Sequence, residues 1–227
     1  MFHYFRCGLV VCSCLVLAAG CNQNGQMASD SPLPTAAPNT NNSETQLKGG
    51  GYIVKFETSK GDFVVRVVRD WAPNGADRFE ELVESGLYDE CRFFRVLDDF
   101  MAQVGINGDP ILSARWSQAT ILDDPVLESN RRGYLTFATS GPDSRTTQFF
   151  INLKNNANLD RQGFSPFGKV IEGMDVVDSL YSGYGEGAPN GPGPAQNRIE
   201  AEGNEYLIRE FSELDHINKA TIIEQIE

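Results

Sequence analysis

Phe93-Phe94-Arg95-Val96-Leu97-Asp98-Asp99-Phe100-Met101-Ala102-Gln103-Val104-Gly105 lies just before the midpoint of the chain and decides its fold class. Two short apolar runs, 93–97 and 100–104, flank the polar pair Asp98-Asp99, the pattern of two strands joined by a tight turn. Each run carries one long polar side chain among apolar neighbours, Arg95 in the first and Gln103 in the second. Toward the N-terminus, the strand-like runs 52–57 and 62–68 flank the turn Thr58-Ser59-Lys60-Gly61. A helix is predicted over 73–85, with Pro73 suited to its first turn and Gly86 to the stop after it. Phe79, Leu82 and Val83 recur at helical spacing and would face a core. Toward the C-terminus, further β-rich stretches cover 134–138, 148–153 and 167–171, and a second short helix 174–180. Short strands with only two helices predict a mainly β domain, a closed antiparallel barrel capped by those helices.

Beyond Leu180 the chain turns to Gly- and Pro-rich loop material over 182–194, whose glycines follow a helix and do not match a dinucleotide fingerprint. Residues 204–227 read as a polar extension with apolar anchors at Tyr206, Leu207, Phe211, Leu214 and Ile217, expected to dock on the barrel.

The N-terminus reads as an export signal. One cation, Arg6, precedes an apolar run over 9–19 that is too short to span a bilayer, which needs ~20 residues. Ala18-Ala19-Gly20 then sit directly before Cys21, which resembles a bacterial lipobox; Cys21 would be the lipidated residue. Residues 22–50 are rich in Asn, Ser, Thr, Pro and Gly, unable to offset ordering entropy, and are expected to form a flexible tether. The predicted organisation is therefore a signal peptide at 1–20, lipidated cysteine and tether at 21–50, a folded domain at 51–203 and an extension at 204–227. Location follows: exported and membrane-anchored, facing the periplasm or the cell exterior.

Composition excludes several chemistries. A net charge of −12 argues against nucleic-acid partners, which require clustered Lys and Arg. Four of the five cysteines lie in the first 21 residues, so only Cys91 falls in the folded part, and a disulfide scaffold is excluded. Cys91 reads as a partly buried structural thiol. The two histidines, His3 and His216, form no metal-ligand cluster, and no G-x-S-x-G elbow is present. No metal and no cofactor are expected. Asp123-Asp124, in a loop ended by Pro125, reads as a solvated pair.

The segment 93–105 resembles the cyclophilin signature F-x-R-[VI]-[IL]-x-x-F-M-x-Q-x-G. Gly133-Tyr134-Leu135-Thr136-Phe137-Ala138-Thr139-Ser140-Gly141-Pro142 and Thr147-Gln148-Phe149-Phe150-Ile151 are similar to the family's second block. Leu159-Asp160-Arg161-Gln162-Gly163-Phe164-Ser165-Pro166-Phe167-Gly168-Lys169-Val170 resembles its bacterial third block. The resemblance implies an eight-stranded barrel and peptidyl-prolyl cis-trans isomerase activity on proline-containing peptides and unfolded exported proteins, by a monomer.

Rotation about an X–Pro bond faces a barrier of ~18–20 kcal/mol, and four decades of acceleration require ~5.4 kcal/mol. One hydrogen bond to a charged group supplies only ~1.5–3 kcal/mol, so a cationic donor must act together with a dry pocket. By resemblance, Arg95 would donate to the prolyl nitrogen as it becomes pyramidal, and Gln103 would help hold the substrate carbonyl. Phe100, Met101, Phe150 and Leu159 would line the proline pocket. Phe164 stands where many eukaryotic relatives have His and would be an apolar wall. Thr139 would grip the peptide through its backbone, with Ala138 and Gln148 shaping the adjoining groove. The chain departs from the family pattern at Asp98-Asp99, which replaces a Pro-Gly turn and brings carboxylates near Arg95. Asn158 stands where many relatives have Trp, which argues against cyclosporin-type macrocycles, and 107–126 replaces a Gly-rich loop. A tethered proline-peptide-binding module with little or no turnover is the alternative function.

Overall fold

The apolar runs 52–57 and 62–68 form β1 (Gly51–Thr58) and β2 (Gly61–Val68), paired antiparallel with Val54 opposite Val65 and Phe56 opposite Phe63. The computed structural model describes residues 50–227; the expected signal peptide, the tether and Cys21 lie outside the described residues. α1 (Pro73–Glu84) follows and turns Ala76, Phe79, Leu82 and Val83 into the interior. The Phe79 ring meets those of Phe149 at 5.3 Å and Phe167 at 4.8 Å, so one helix face seals the main core.

The remaining elements are β3 (Arg95–Leu97), β4 (Met101–Val104), α2 (Pro110–Trp116), β5 (Tyr134–Phe137) and β6 (Phe149–Asn152). A 3-10 turn (Ala157–Gln162), β7 (Pro166–Glu172), α3 (Met174–Asp178), α4 (Gln196–Glu210) and β8 (Ile217–Ile226) complete the described residues. All eight strands join one antiparallel sheet in the order β3-β4-β6-β5-β7-β2-β1-β8.

The expected closed barrel is thus corrected to an open half-barrel, because β3 and β8 share no ladder. Glu90, with φ +61°, turns the chain just ahead of β3, and the gap is spanned by the single bridge between Arg92 and His216. Phe93 N–H donates to Asp215 O at 2.9 Å and Ile217 N–H to Cys91 O at 2.9 Å across that gap. Among the described residues four α-helices stand where two were expected. α4 bends at Gly203 (φ +61°), so the boundary placed after residue 203 falls inside a helix. β8, in the segment read as an extension, runs alongside β1 as the eighth strand.

Two further readings are corrected. Asp123 is exposed, but Asp124 is buried: its carboxylate accepts from Asn74 N–H (2.9 Å) and Gly75 N–H (2.8 Å) at the start of α1, and pairs with Arg145 Nη1 at 3.1 Å. Cys91 is wholly buried, and burial pushes its thiol well above the ordinary range. Among the described residues no helix is long and apolar enough to cross a membrane, and no cluster of His, Cys, Asp or Glu could hold a metal ion.

Candidate active site

Strand alternation builds the site. Along β3, β4 and β6, Val96, Ala102, Val104, Phe149 and Ile151 enter the main core, so their neighbours must point to the other face. Register aligns those neighbours: Arg95 lies opposite Gln103, and Gln103 opposite Phe150, a row crossing three strands. Leu97 likewise faces Met101. On this outer face Met101, Phe150 and Leu159 form a small buried apolar cluster, with Leu97, Phe100, Ala138 and Phe164 packed against it. These side chains form a cluster separate from the main core.

The 3-10 turn brings Leu159 and Phe164 over the sheet. Asp160 anchors it, accepting from Ser129 Oγ (2.5 Å), Asn130 N–H (2.9 Å) and Asn130 Nδ2 (2.9 Å). Burial alone would raise the Asp160 carboxyl, but these donors outweigh it and hold the group below its ordinary value. Asn130 Nδ2 also donates to Phe164 O at 2.8 Å, and Asn156 Nδ2 to Phe100 O at 2.9 Å. The Phe150 and Phe164 rings meet edge-on at 5.8 Å.

Between the turn and the sheet is a cavity of about 350 Å³. Its lining includes nine of the ten residues singled out for catalysis or substrate binding: Arg95, Phe100, Met101, Gln103, Ala138, Thr139, Phe150, Leu159 and Phe164. The tenth, Gln148, stands just beyond, in the wall of an adjoining polar cavity of about 450 Å³ that also includes Gln103, Ser117, Ser144 and Glu200. The first volume lies at the lower end of the ~300–1,000 Å³ of small-ligand sites, which suits a side chain and a short length of backbone.

A polar chain crosses the rim. Arg95 Nη1 donates to Gln103 Oε1 (3.0 Å), Gln103 Nε2 to Gln148 Oε1 (2.9 Å), and Gln148 Nε2 to Gln196 Oε1 (3.2 Å). The Arg95 guanidinium lies 5.8 Å from the Phe100 ring centre. Thr139 Oγ1 hydrogen-bonds to Gly141 O and approaches Ser144 Oγ at 2.8 Å, so its side chain closes its own turn.

Asp98 and Asp99, expected beside Arg95, are exposed instead; the carboxylate that meets Arg95 is Glu186. The Arg95 guanidinium holds the Glu186 carboxyl below the usual carboxylate range. Sequence reading missed Glu186, Gln162 and Gln196. Only Glu186 left a signal, as the sole charged residue in the Gly- and Pro-rich stretch 182–194.

The model of the family described as cyclophilin type peptidyl-prolyl cis-trans isomerase/CLD matches residues 53–201. The chain is similar to a peptidyl-prolyl cis-trans isomerase of Acinetobacter baylyi, 37% identical over 134 residues, covering 56% of this chain and 71% of the relative. It is also similar to peptidyl-prolyl cis-trans isomerase B of Escherichia coli, 34% identical over 137 residues, covering 56% and 83%. Among solved structures, a Cryptosporidium parvum cyclophilin type peptidyl-prolyl cis-trans isomerase matches with a TM-score of 0.56 at 22% identity, over 76% of this chain and 97% of that one, a likeness of fold.

Proposed function

From a chain that belongs to the cyclophilin-type peptidyl-prolyl cis-trans isomerase family, we propose a site in which Arg95 is the principal catalytic residue and the cavity beneath it takes the proline ring. The chain is a peptidyl-prolyl cis-trans isomerase. The observation that carries the site assignment is the row Arg95–Gln103–Phe150, which sets a guanidinium, an amide and an aromatic wall side by side at one cavity.

The chemistry follows from amide resonance. Twisting the X–Pro bond returns the lone pair to the prolyl nitrogen, and a permanently charged donor at that atom stabilises the twisted state more than either planar one. Arg95 is permanently charged and only 22% exposed, so water screens it less than at an open surface. Phe100, Met101, Phe150, Leu159 and Phe164 hold the ring while the preceding residue rotates. Gln103, held by Arg95 on one side and Gln148 on the other, positions the substrate carbonyl. Ala138, Thr139 and Gln148 carry the peptide past the ring into the polar cavity.

The Cys21 lipobox and the polar segment after it support an exported, membrane-tethered enzyme acting on exported proteins as they fold. That the lining residues all come from one chain supports a monomer as the working unit. Addition of a proline-containing peptide to the isotope-labelled full chain should shift the Gln103, Phe150 and Leu159 amide resonances while the peptide's cis and trans peaks exchange faster. Shifts without faster exchange would mark a binding module instead.

A further inference from the structure

Segment 182–194 makes a specific contact with the catalytic arginine. Glu186 meets Arg95 side-on, Oε1 lying 2.6 Å from Nε and Oε2 2.7 Å from Nη2. Its carboxylate is itself fixed, since Gly187 N–H donates to Oε1 at 2.9 Å. Its backbone is fixed as well: Gly193 N–H donates to Glu186 O at 2.8 Å, and Ala188 N–H to Gly193 O at 3.1 Å. The loop closes this tightly only with glycine at two positions. A Cβ at Gly191 would stand 2.4 Å from Glu186 O, and one at Gly193 2.8 Å from it. On the far side of the guanidinium, Gln103 accepts from Nη1 at 3.0 Å.

Glu186 either blocks Arg95 or braces it, and two observations decide. First, Arg95 lines the proline cavity and Glu186 does not, so the carboxylate grips the guanidinium from behind. Second, a guanidinium offers five N–H groups. Glu186 takes those of Nε and one of Nη2, and Gln103 takes one of Nη1. The other Nη1 N–H points at Met101 Sδ in the cavity wall at 3.8 Å, a weak acceptor that an entering peptide can displace, and one N–H of Nη2 remains.

We propose that Glu186 is a positioning residue for the isomerisation, holding Arg95 by Nε and Nη2 so that its remaining N–H groups already face the proline cavity when the peptide enters. This rests on the catalytic role assigned to Arg95. A long flexible side chain that must be ordered only in the transition state lowers the rate, and a preformed brace removes that cost. The pair is partly exposed, with Glu186 at 35%, so it adds little to folding. Its removal therefore acts on turnover.

The test is cis-trans exchange of an X–Pro peptide, followed by NMR with the full chain, its Glu186→Ala and Glu186→Gln variants, Arg95→Ala, and the double variant. Glu186→Ala should lower kcat about tenfold with KM moving less than about twofold. Glu186→Gln keeps an acceptor for Nε but turns an amide toward Nη2, and should fall between. In the Arg95→Ala background Glu186→Ala should change nothing further, because it acts through Arg95. Unchanged or faster turnover in a folded Glu186 variant, or an equal drop in the Arg95→Ala background, would overturn the bracing role while leaving the isomerase intact. A wild-type chain that fails to accelerate exchange would overturn the isomerase reading itself, and this proposal with it.

Discussion

Asp123 and Asp124 are neighbours in sequence, yet replacing each by alanine should give very unequal losses of stability. Asp124 is the buried member, its side chain 1% exposed beside an Arg145 that is 4% exposed. Asp124→Ala removes the acceptor for two N–H groups at the start of α1 and the partner of a buried guanidinium. Breaking a buried ion pair from one side costs about 3–5 kcal/mol. Arg145 retains the Leu122 carbonyl and a 3.1 Å approach to Asp123, which places the loss at the lower end, about 3 kcal/mol. For a chain of this size, that corresponds to about 6–12 °C in Tm, at about 2–4 °C per kcal/mol. Asp123→Ala, at a side chain 39% exposed, should cost less than about 1 kcal/mol. Urea unfolding of both variants, read by linear extrapolation with the slope compared, measures the difference. Equal midpoints for the two would refute the buried-pair reasoning, and with it the view that loop 122–125 pins the first turn of α1.

Phe150→Ala opens the apolar wall of the cavity proposed to take proline, and kcat/KM should fall by more than tenfold, or about 1.4 kcal/mol. Its stability loss should stay near or below the ~3–5 kcal/mol of a Phe→Ala change in a full core, checked by urea midpoint and peptide exchange together. Asp160 carries a depressed pKa, so it contributes stability fully above the ordinary carboxylate value and loses it as pH falls through the depressed one. The Tm gap between wild type and Asp160→Asn should therefore be constant from neutral pH to about 5 and close below about pH 4. A gap independent of pH would contradict this sign. Burial raises the Cys91 thiol, so maleimide should leave the peptide containing it unlabelled in the native chain and label it in denaturant, as read by peptide mass spectrometry.

The strands that build the site were legible because they are short and their alternation is local. Met101 and Gln103 sit two residues apart on β4, so the period-2 rule puts them on one face, and the register of the tight hairpin sets Arg95 beside them. What was not legible depends on partners far along the chain. Glu186 reaches Arg95 across 91 residues, and Asp124 reaches α1 across 49 and 50. Neither has a local pattern to announce it. β8 escaped for another reason. It is an edge strand buried at Ile217 and Ala220 but mostly open elsewhere, so it lacks the alternation of a half-covered strand. α4 was hidden by Gly203, which divides its periodicity. The closed barrel was an over-extension, since pattern counts strands but does not tell whether the first and last of the sheet meet.

The central claim is that Arg95 turns an apolar proline cavity into a catalyst. Its most direct test is NMR exchange of an X–Pro peptide with the full chain and its Arg95→Ala variant, each checked for an unchanged urea midpoint. Loss of one preorganised donor to a transition state typically costs about 10²–10³ in kcat, and exchange should slow by that factor while the peptide still binds. Wild-type exchange rates in a well-folded Arg95→Ala chain would contradict the account.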